Sequence, residues 1–162
     1  MKFNDVMHIA FYTDKMDEMM AFYTQKLGGK VQVLTRYKVY ASRDDRPAMQ
    51  KIALEDPQRI FNVYIELATN QFIELFPRME GQLDRDDTPW NGRLGYSHFA
   101  LTVDDIFATH EEMIAAGITP DTEISKGPSE TYQFWVSDPD GNKFEVMQFT
   151  EKSYQVNGHI DE

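Results

Sequence analysis

The strongest constraint on this chain is that it is written twice. Met7 to Asp14 reads MHIAFYTD and Ser97 to Asp104 reads SHFALTVD, and both contain His-x-Ala-x-x-x-Asp. Phe72 to Phe76 reads FIELF and Lys143 to Met147 reads KFEVM, each an apolar run interrupted by one glutamate. An internal repeat fixes organisation before local detail does. A chain of 162 residues is enough for one compact domain, or for two small modules sharing a core.

Each copy carries the same order of elements. Val6 to Tyr12 reads as a strand, and Asp14 as the cap of a helix on which Met16, Met19, Met20, Tyr23 and Leu27 recur at helical spacing up to Gly28-Gly29. Val31 to Tyr40 alternates, with Val31, Val33, Tyr37 and Val39 on one face, and Ile60 to Leu67 and Phe72 to Phe76 complete the first half as β-α-β-β-β. In the second half Tyr96 to Val103 is a strand. Asp104 caps a helix holding Ile106, Phe107, Met113 and Ile114, and Gly117 ends it. Ile118 to Ile124 and Thr131 to Ser137 read as strands, Asp138 to Asn142 (DPDGN) as a turn, and Lys143 to Phe149 as the last strand.

The halves differ in length. His8 and Glu74 are 66 positions apart and His98 and Glu145 are 47 apart, and the polar stretch Ser42 to Arg59 accounts for the difference. Pro47 suits a first helical turn and Pro57 a stop, so a short helical insertion is expected near 42–59. The expected organisation is a first βαβββ module over 1–78, a linker over 79–94, a second βαβββ module over 95–150 and a polar tail over 151–162. The fold class is α+β.

His8, Glu74, His98 and Glu145 occupy paired places in the repeat. A lone histidine at a strand start is ordinarily structural. A glutamate inside an apolar strand is different, because a buried carboxylate without a partner is costly and calls for a cation. Two imidazoles and two carboxylates form a donor set for one divalent ion, and nickel, cobalt, zinc, manganese and ferrous iron all suit it. His110 lies on the second helix beside Ile106 and Met113, and His159 lies in the tail, so neither is expected to be a ligand.

Composition removes several alternatives. A net charge of −11 argues against nucleic acid, which needs clustered Lys and Arg. The charge is uneven: residues 1–91 carry 12 basic against 14 acidic groups, and residues 92–162 carry 4 against 13. The absence of cysteine excludes disulfides, thiolate zinc sites and cysteine nucleophiles. No stretch approaches the roughly 20 apolar residues of a bilayer span. The opening MKFNDVMHIA lacks a basic region followed by an apolar run, so a cytoplasmic location without membrane partners is expected.

The duplicated His-x-Ala-x-x-x-Asp openings, the strand order and the closing Asp-Pro-Asp-Gly-Asn-x-x-Glu (Asp138 to Glu145) resemble the vicinal oxygen chelate superfamily, the glyoxalase I, bleomycin-resistance and extradiol-dioxygenase group, over residues 4–150. The resemblance implies two tandem βαβββ modules, each curving a sheet around a cleft, with ligands from the first and last strands. Carried over, these ligands are His8, Glu74, His98 and Glu145. Extradiol dioxygenases resemble the chain at His8, His98 and Glu145 but use no carboxylate at the Glu74 position, so a glutamate there favours the glyoxalase I-like branch. The implied activity is that of a lactoylglutathione lyase-like lyase or isomerase, moving a proton next to a carbonyl through an enediolate held by the metal. Glu145 is the implied base and Glu74 its counterpart. An extradiol-type dioxygenase and a non-catalytic small-molecule binding or resistance protein are the alternatives. The implied partners are a small-molecule substrate, with a thiol conjugate as one form, and a second copy in a homodimer.

Substrate contacts are less specified. Arg36 and Lys38 are two apart in an expected strand and would share a face suited to an anionic substrate. Tyr132 and Phe134 would share a face that either lines the cleft or packs within the sheet.

Overall fold

The computed structural model describes residues 1–2, 4–86, 88–89, 92 and 94–161. Positions 87, 90, 91 and 93, part of the segment read as a linker, lie outside the described residues. The chain divides into two compact units, Met1–Asp84 and Arg85–Glu162. Each holds one four-stranded mixed sheet with few helices, which is the α+β, two-module plan.

In the first unit β1 (His8–Thr13) leads to α1 (Met16–Ala21), β2 (Lys30–Arg36), α2 (Pro47–Glu55), β3 (Ile60–Ala68) and β4 (Gln71–Pro77). The sheet order is β1-β4-β3-β2, with β1 parallel to β4 and the other neighbours antiparallel. Met19, Tyr23, Val63, Ile65 and Leu75 are fully buried, and they fill the layer between the helix and one sheet face. A buried side chain of this size contributes roughly 1.5–3 kcal/mol. Asp14 does not cap the helix; the Thr13 hydroxyl accepts from the Lys15 amide at 2.9 Å instead. The last turn, Phe22–Lys26, widens to a π-turn in which the Leu27 amide donates to the Phe22 carbonyl at 3.1 Å. Phe22 and Tyr23, consecutive and packed edge to face at 5.3 Å, both face the interior there. The chain then turns at Gly28 (φ +74°), and a Cβ on Gly29 would stand 2.6 Å from the Tyr23 carbonyl oxygen and 2.8 Å from Ile65.

The second strand is shorter than its alternation suggested. It ends at Arg36, and Tyr37–Tyr40 form a 3₁₀ turn. The Tyr37 and Lys38 amides donate to the Arg59 and Pro57 carbonyls, which sinks Tyr37 to 1% exposure against Phe61. Burial of that aromatic ring outweighs continuation of the strand. The insertion contains α2, with Pro47 in its first turn.

The second unit contains β5 (Phe99–Thr102), α3 (Ile106–Ala115), β6 (Ser125–Lys126), β7 (Tyr132–Ser137), β8 (Lys143–Gln148) and α4 (Tyr154–Asn157). The order β5-β8-β7-β6 repeats the first sheet, again with a parallel outer pair. Asp105, rather than Asp104, caps α3, accepting from the Phe107 and Ala108 amides at 3.0 Å each. The expected strand over 118–124 is irregular: Ile118 is buried, Pro120 offers no amide to a ladder, and pairing begins at Ser125. Ser153 in the expected tail is fully buried, bonded to Thr131 at 2.9 Å and to the Thr150 amide at 2.8 Å, so this segment is packed rather than loose. Among the described residues no helix is long and apolar enough to cross a membrane.

Candidate functional site

Strand register places one histidine and one glutamate together in each unit. In the first, Ala10 pairs with Glu74 across β1 and β4, so His8, two residues before Ala10, and Glu74 project from the same face. His8 Nε2 lies 3.3 Å from Glu74 Oε2. In the second, Ala100 pairs with Glu145, and His98 Nε2 lies 3.4 Å from Glu145 Oε2. The repeat seen in sequence is therefore a repeat of register and of side-chain contact.

Both pairs have an aromatic residue opposite the glutamate. Tyr64 pairs with Glu74 and stands edge-on to His8 at 5.6 Å. Trp135 pairs with Glu145 and stands edge-on to His98 at 4.7 Å. Burial, then a hydrogen bond to Glu74 and the carboxylate charge, push the Tyr64 phenol up to about 12. The outer nitrogens differ: His8 Nδ1 is 2.9 Å from Met7 Sδ, and His98 Nδ1 is 2.8 Å from the Ser97 hydroxyl. A second contact on the nitrogen remote from the carboxylate fixes the ring orientation in each case.

The carboxylates are not equivalent. Glu74 is 5% exposed, and its Oε1 accepts from Asn62 Nδ2 at 2.7 Å. The Thr35 hydroxyl in turn donates to Asn62 Oδ1. Glu145 is more open, and His98 is its polar partner among the described residues.

The donor chemistry fits a divalent ion. With metal bonds of about 2.0–2.2 Å, adjacent ligand atoms stand about 3 Å apart, close to the 3.3 and 3.4 Å separations of the two pairs. Within either unit, among the described residues, no group of three or more His, Cys, Asp or Glu side chains lies close enough to hold an ion. Each unit by itself offers two donors.

The other sequence-derived candidates fall elsewhere. Arg36 and Lys38 do not share a strand face, because β2 ends between them; the Arg36 guanidinium donates to the Gln58 carbonyl and Lys38 sits in the 3₁₀ turn. Tyr132 and Phe134 do share a face, but it is the one covered by α3. Phe134 is fully buried against His110 at 4.9 Å, and Tyr132 packs on Phe107 at 5.7 Å. The face of Glu145 carries Trp135 and Gln133 instead. His110 is thus a packing residue, and His159 stacks on Tyr154 at 3.9 Å and contacts Asp161. Asn62, Tyr64 and Trp135 were not singled out from sequence. Alternation put Asn62 and Tyr64 on one face, but their alignment with Glu74 depends on strand register.

A chain of two βαβββ modules with paired His–Glu strands defines a vicinal-oxygen-chelate class of protein. The family model described as Glyoxalase/Bleomycin resistance protein/Dioxygenase superfamily matches residues 6–146, and the chain belongs to that superfamily. Among solved structures it is similar to a glyoxalase family protein from Enterococcus faecalis, at 21% identity and TM-score 0.64, covering 90% of this chain and 98% of that one. It is also similar to a lactoylglutathione lyase from Agrobacterium tumefaciens, at 22% identity and TM-score 0.53, covering 89% and 92%. A virulence protein from Salmonella typhimurium matches at 18% identity and TM-score 0.57, covering 93% and 100%. These likenesses are of fold. No curated protein sequence matches the chain. The superfamily includes many enzymes and also non-catalytic members, and its members often bind a divalent metal.

Proposed function

We propose that the chain is a metal-dependent lyase or isomerase of glyoxalase I type, which moves a proton next to a carbonyl in a small α-oxo or thiol-linked substrate. The observation that carries this reading is the pair of His–Glu contacts, at 3.3 and 3.4 Å, in the same register of two sheets. The proposed ligands are His8, Glu74, His98 and Glu145, one pair from each of two modules, whether these belong to one chain or to the two copies of a homodimer. A divalent ion held there supplies Lewis acidity, stabilising negative charge on the substrate oxygen that was the carbonyl.

The chain's own residues do the rest. Glu145 takes the proton from the carbon beside the carbonyl and returns it to the neighbouring carbon, so no electrons are gained or lost overall. Glu145 suits this role because it is the more open carboxylate and has fewer polar restraints. Glu74, buried and bonded to Asn62, suits a fixed role. Tyr64 and Trp135 stand edge-on to the histidines and limit the orientations of their rings. A buried carboxylate at position 74, as a fourth protein ligand, also weighs against the dioxygenase alternative, which implies three.

The test is turnover in deuterium oxide. Protein loaded in turn with nickel, zinc, cobalt or manganese is given adducts of α-oxoaldehydes with small thiols. Solvent deuterium in the product next to its carbonyl is expected. Glu145→Gln should lower the rate by roughly 10²–10⁴-fold. Ligand binding without exchange or turnover would leave a binding protein, and oxygen consumption would indicate a dioxygenase.

A further inference from the structure

The two halves of the repeat part company behind their glutamates. Asn62 and Gln133 are equivalent, each lying two residues before the aromatic residue that faces the glutamate. Asn62 is 7% exposed and donates its amide to Glu74 Oε1 at 2.7 Å. Thr35, its partner across β2 and β3, donates to the amide oxygen. An ionised carboxylate only accepts, so the amide turns Nδ2 to Glu74 and its Oδ1 takes the proton of the Thr35 hydroxyl. Gln133 lies instead against Gly127, whose Cβ would stand 3.2 Å from Gln133 Oε1. Among the described residues Glu145 thus has no counterpart of Asn62.

We infer that Thr35 and Asn62 form a positioning relay, with Asn62 holding Glu74 as the permanent anchor of the metal centre while Glu145 is left free to move. This rests on the proposed metal-binding reading and assigns unequal tasks to its two symmetric carboxylates. The physical basis is direct. A carboxylate with one oxygen held by a buried amide presents its other oxygen in one orientation, here toward His8. Binding an ion then requires no ordering of that side chain. Outer hydrogen-bond partners of ligands are typically worth 10–100-fold in metal affinity or activity. A carboxylate without such a partner keeps the rotational freedom that a base shuttling a proton needs.

The experiment is cobalt(II) binding by the full chain, measured by chelator competition and by the visible absorption of bound cobalt, which reports ligand number and geometry. Asn62→Ala should weaken cobalt by roughly 10–100-fold and alter the visible bands. Gln133→Ala should change neither. Thr35→Val should shift affinity and spectrum in the same direction as Asn62→Ala, and added to that substitution it should have no further effect, because it acts through the amide. A purely structural role would lower the melting temperature of the metal-free protein and leave the spectrum of the remaining sites unchanged. If Asn62→Ala does not fold, Thr35→Val decides alone, and unchanged affinity and bands there overturn the relay. Wild-type protein that binds cobalt with Asn62→Ala equal to it overturns the relay and leaves the metal reading standing. Wild-type protein that binds no cobalt overturns both.

Discussion

Removing the carboxylate of Asp138 should unfold the second unit at much lower denaturant. Asp138 is 5% exposed and opens the turn that leads into β8. Its Oδ1 accepts from the Asp140 amide at 3.0 Å and the Asn142 amide at 2.9 Å, and its Oδ2 accepts from Asn142 Nδ2 at 2.7 Å. A hydrogen bond to a charged acceptor contributes about 1.5–3 kcal/mol net, and an orphaned buried donor costs about as much. The Asp140 amide is half-buried and regains water in the variant, so the two buried donors of Asn142 dominate. Asp138→Ala should therefore cost about 3–6 kcal/mol. Asn142 cannot escape by flipping its amide, because its Oδ1 already accepts from Arg85 at 2.5 Å. Trp135 lies in β7 of the second unit, so its fluorescence during urea unfolding reads the affected part of the chain. With a slope of about 1–3 kcal/mol per molar urea, the midpoint should fall by roughly 1 M or more. Asp138→Asn should fall between, since it keeps one acceptor and turns a second donor toward Asn142. A loss under about 1 kcal/mol for Asp138→Ala would refute the idea that these bonds organise the turn, and with it the explanation of why Asp-Pro-Asp-Gly-Asn precedes Glu145.

Three further outcomes are expected. Glu74→Gln and Glu145→Gln should each weaken metal binding or abolish turnover while His110→Ala does neither, as read by chelator competition; metal loss in His110→Ala alone would contradict the assignment. Gly29→Ala should destabilise the first unit by about 1–3 kcal/mol in a thermal or urea melt, because the new Cβ meets the Tyr23 carbonyl, Ile65 and Leu67 under 3.0 Å. Tyr37 titrates above the usual phenol range, with burial raising it, Arg59 opposing and Tyr40 and Tyr12 adding to the rise. Its neutral form is favoured by folding, so stability is fully present below about pH 10 and is lost as pH rises through the raised folded value. Following tyrosinate absorbance, Tyr37→Phe should remove a late-titrating component and flatten that alkaline loss.

The parts of this protein legible in sequence are those set by neighbours a few residues apart. His8, Glu74, His98 and Glu145 stood out because the repeat aligned them and because a glutamate in an apolar strand needs a reason. What sequence could not show was register. A direct two-residue turn from Ala68 to Gln71 would set Ile65 against Glu74. The register shift between Glu66 and Ala68 instead brings Tyr64 opposite Glu74, and with it Asn62 into reach. The same limit misplaced Arg36 and Lys38, since the end of β2 is decided by burial of Tyr37 against Phe61, a contact 24 positions away in the chain. It also hid which face Tyr132 and Phe134 would take, because alternation groups residues by face without saying which face a helix covers. The choice between Asp104 and Asp105 as helix cap lay in one residue of phase, finer than periodicity resolves.

The proposed function requires that one His–Glu pair of each kind meet at a metal centre, within a chain or between two copies. The measurement that tests it most directly is elemental analysis of untagged protein reloaded with nickel, zinc, cobalt or manganese, beside the His8→Ala/His98→Ala double variant. Two pairs per chain and two pairs per centre give about one ion per chain, whether modules join within a chain or between copies. The account predicts that stoichiometry in the wild type and its loss in the double variant. No bound ion after reloading, or an ion retained without both histidines, would contradict it.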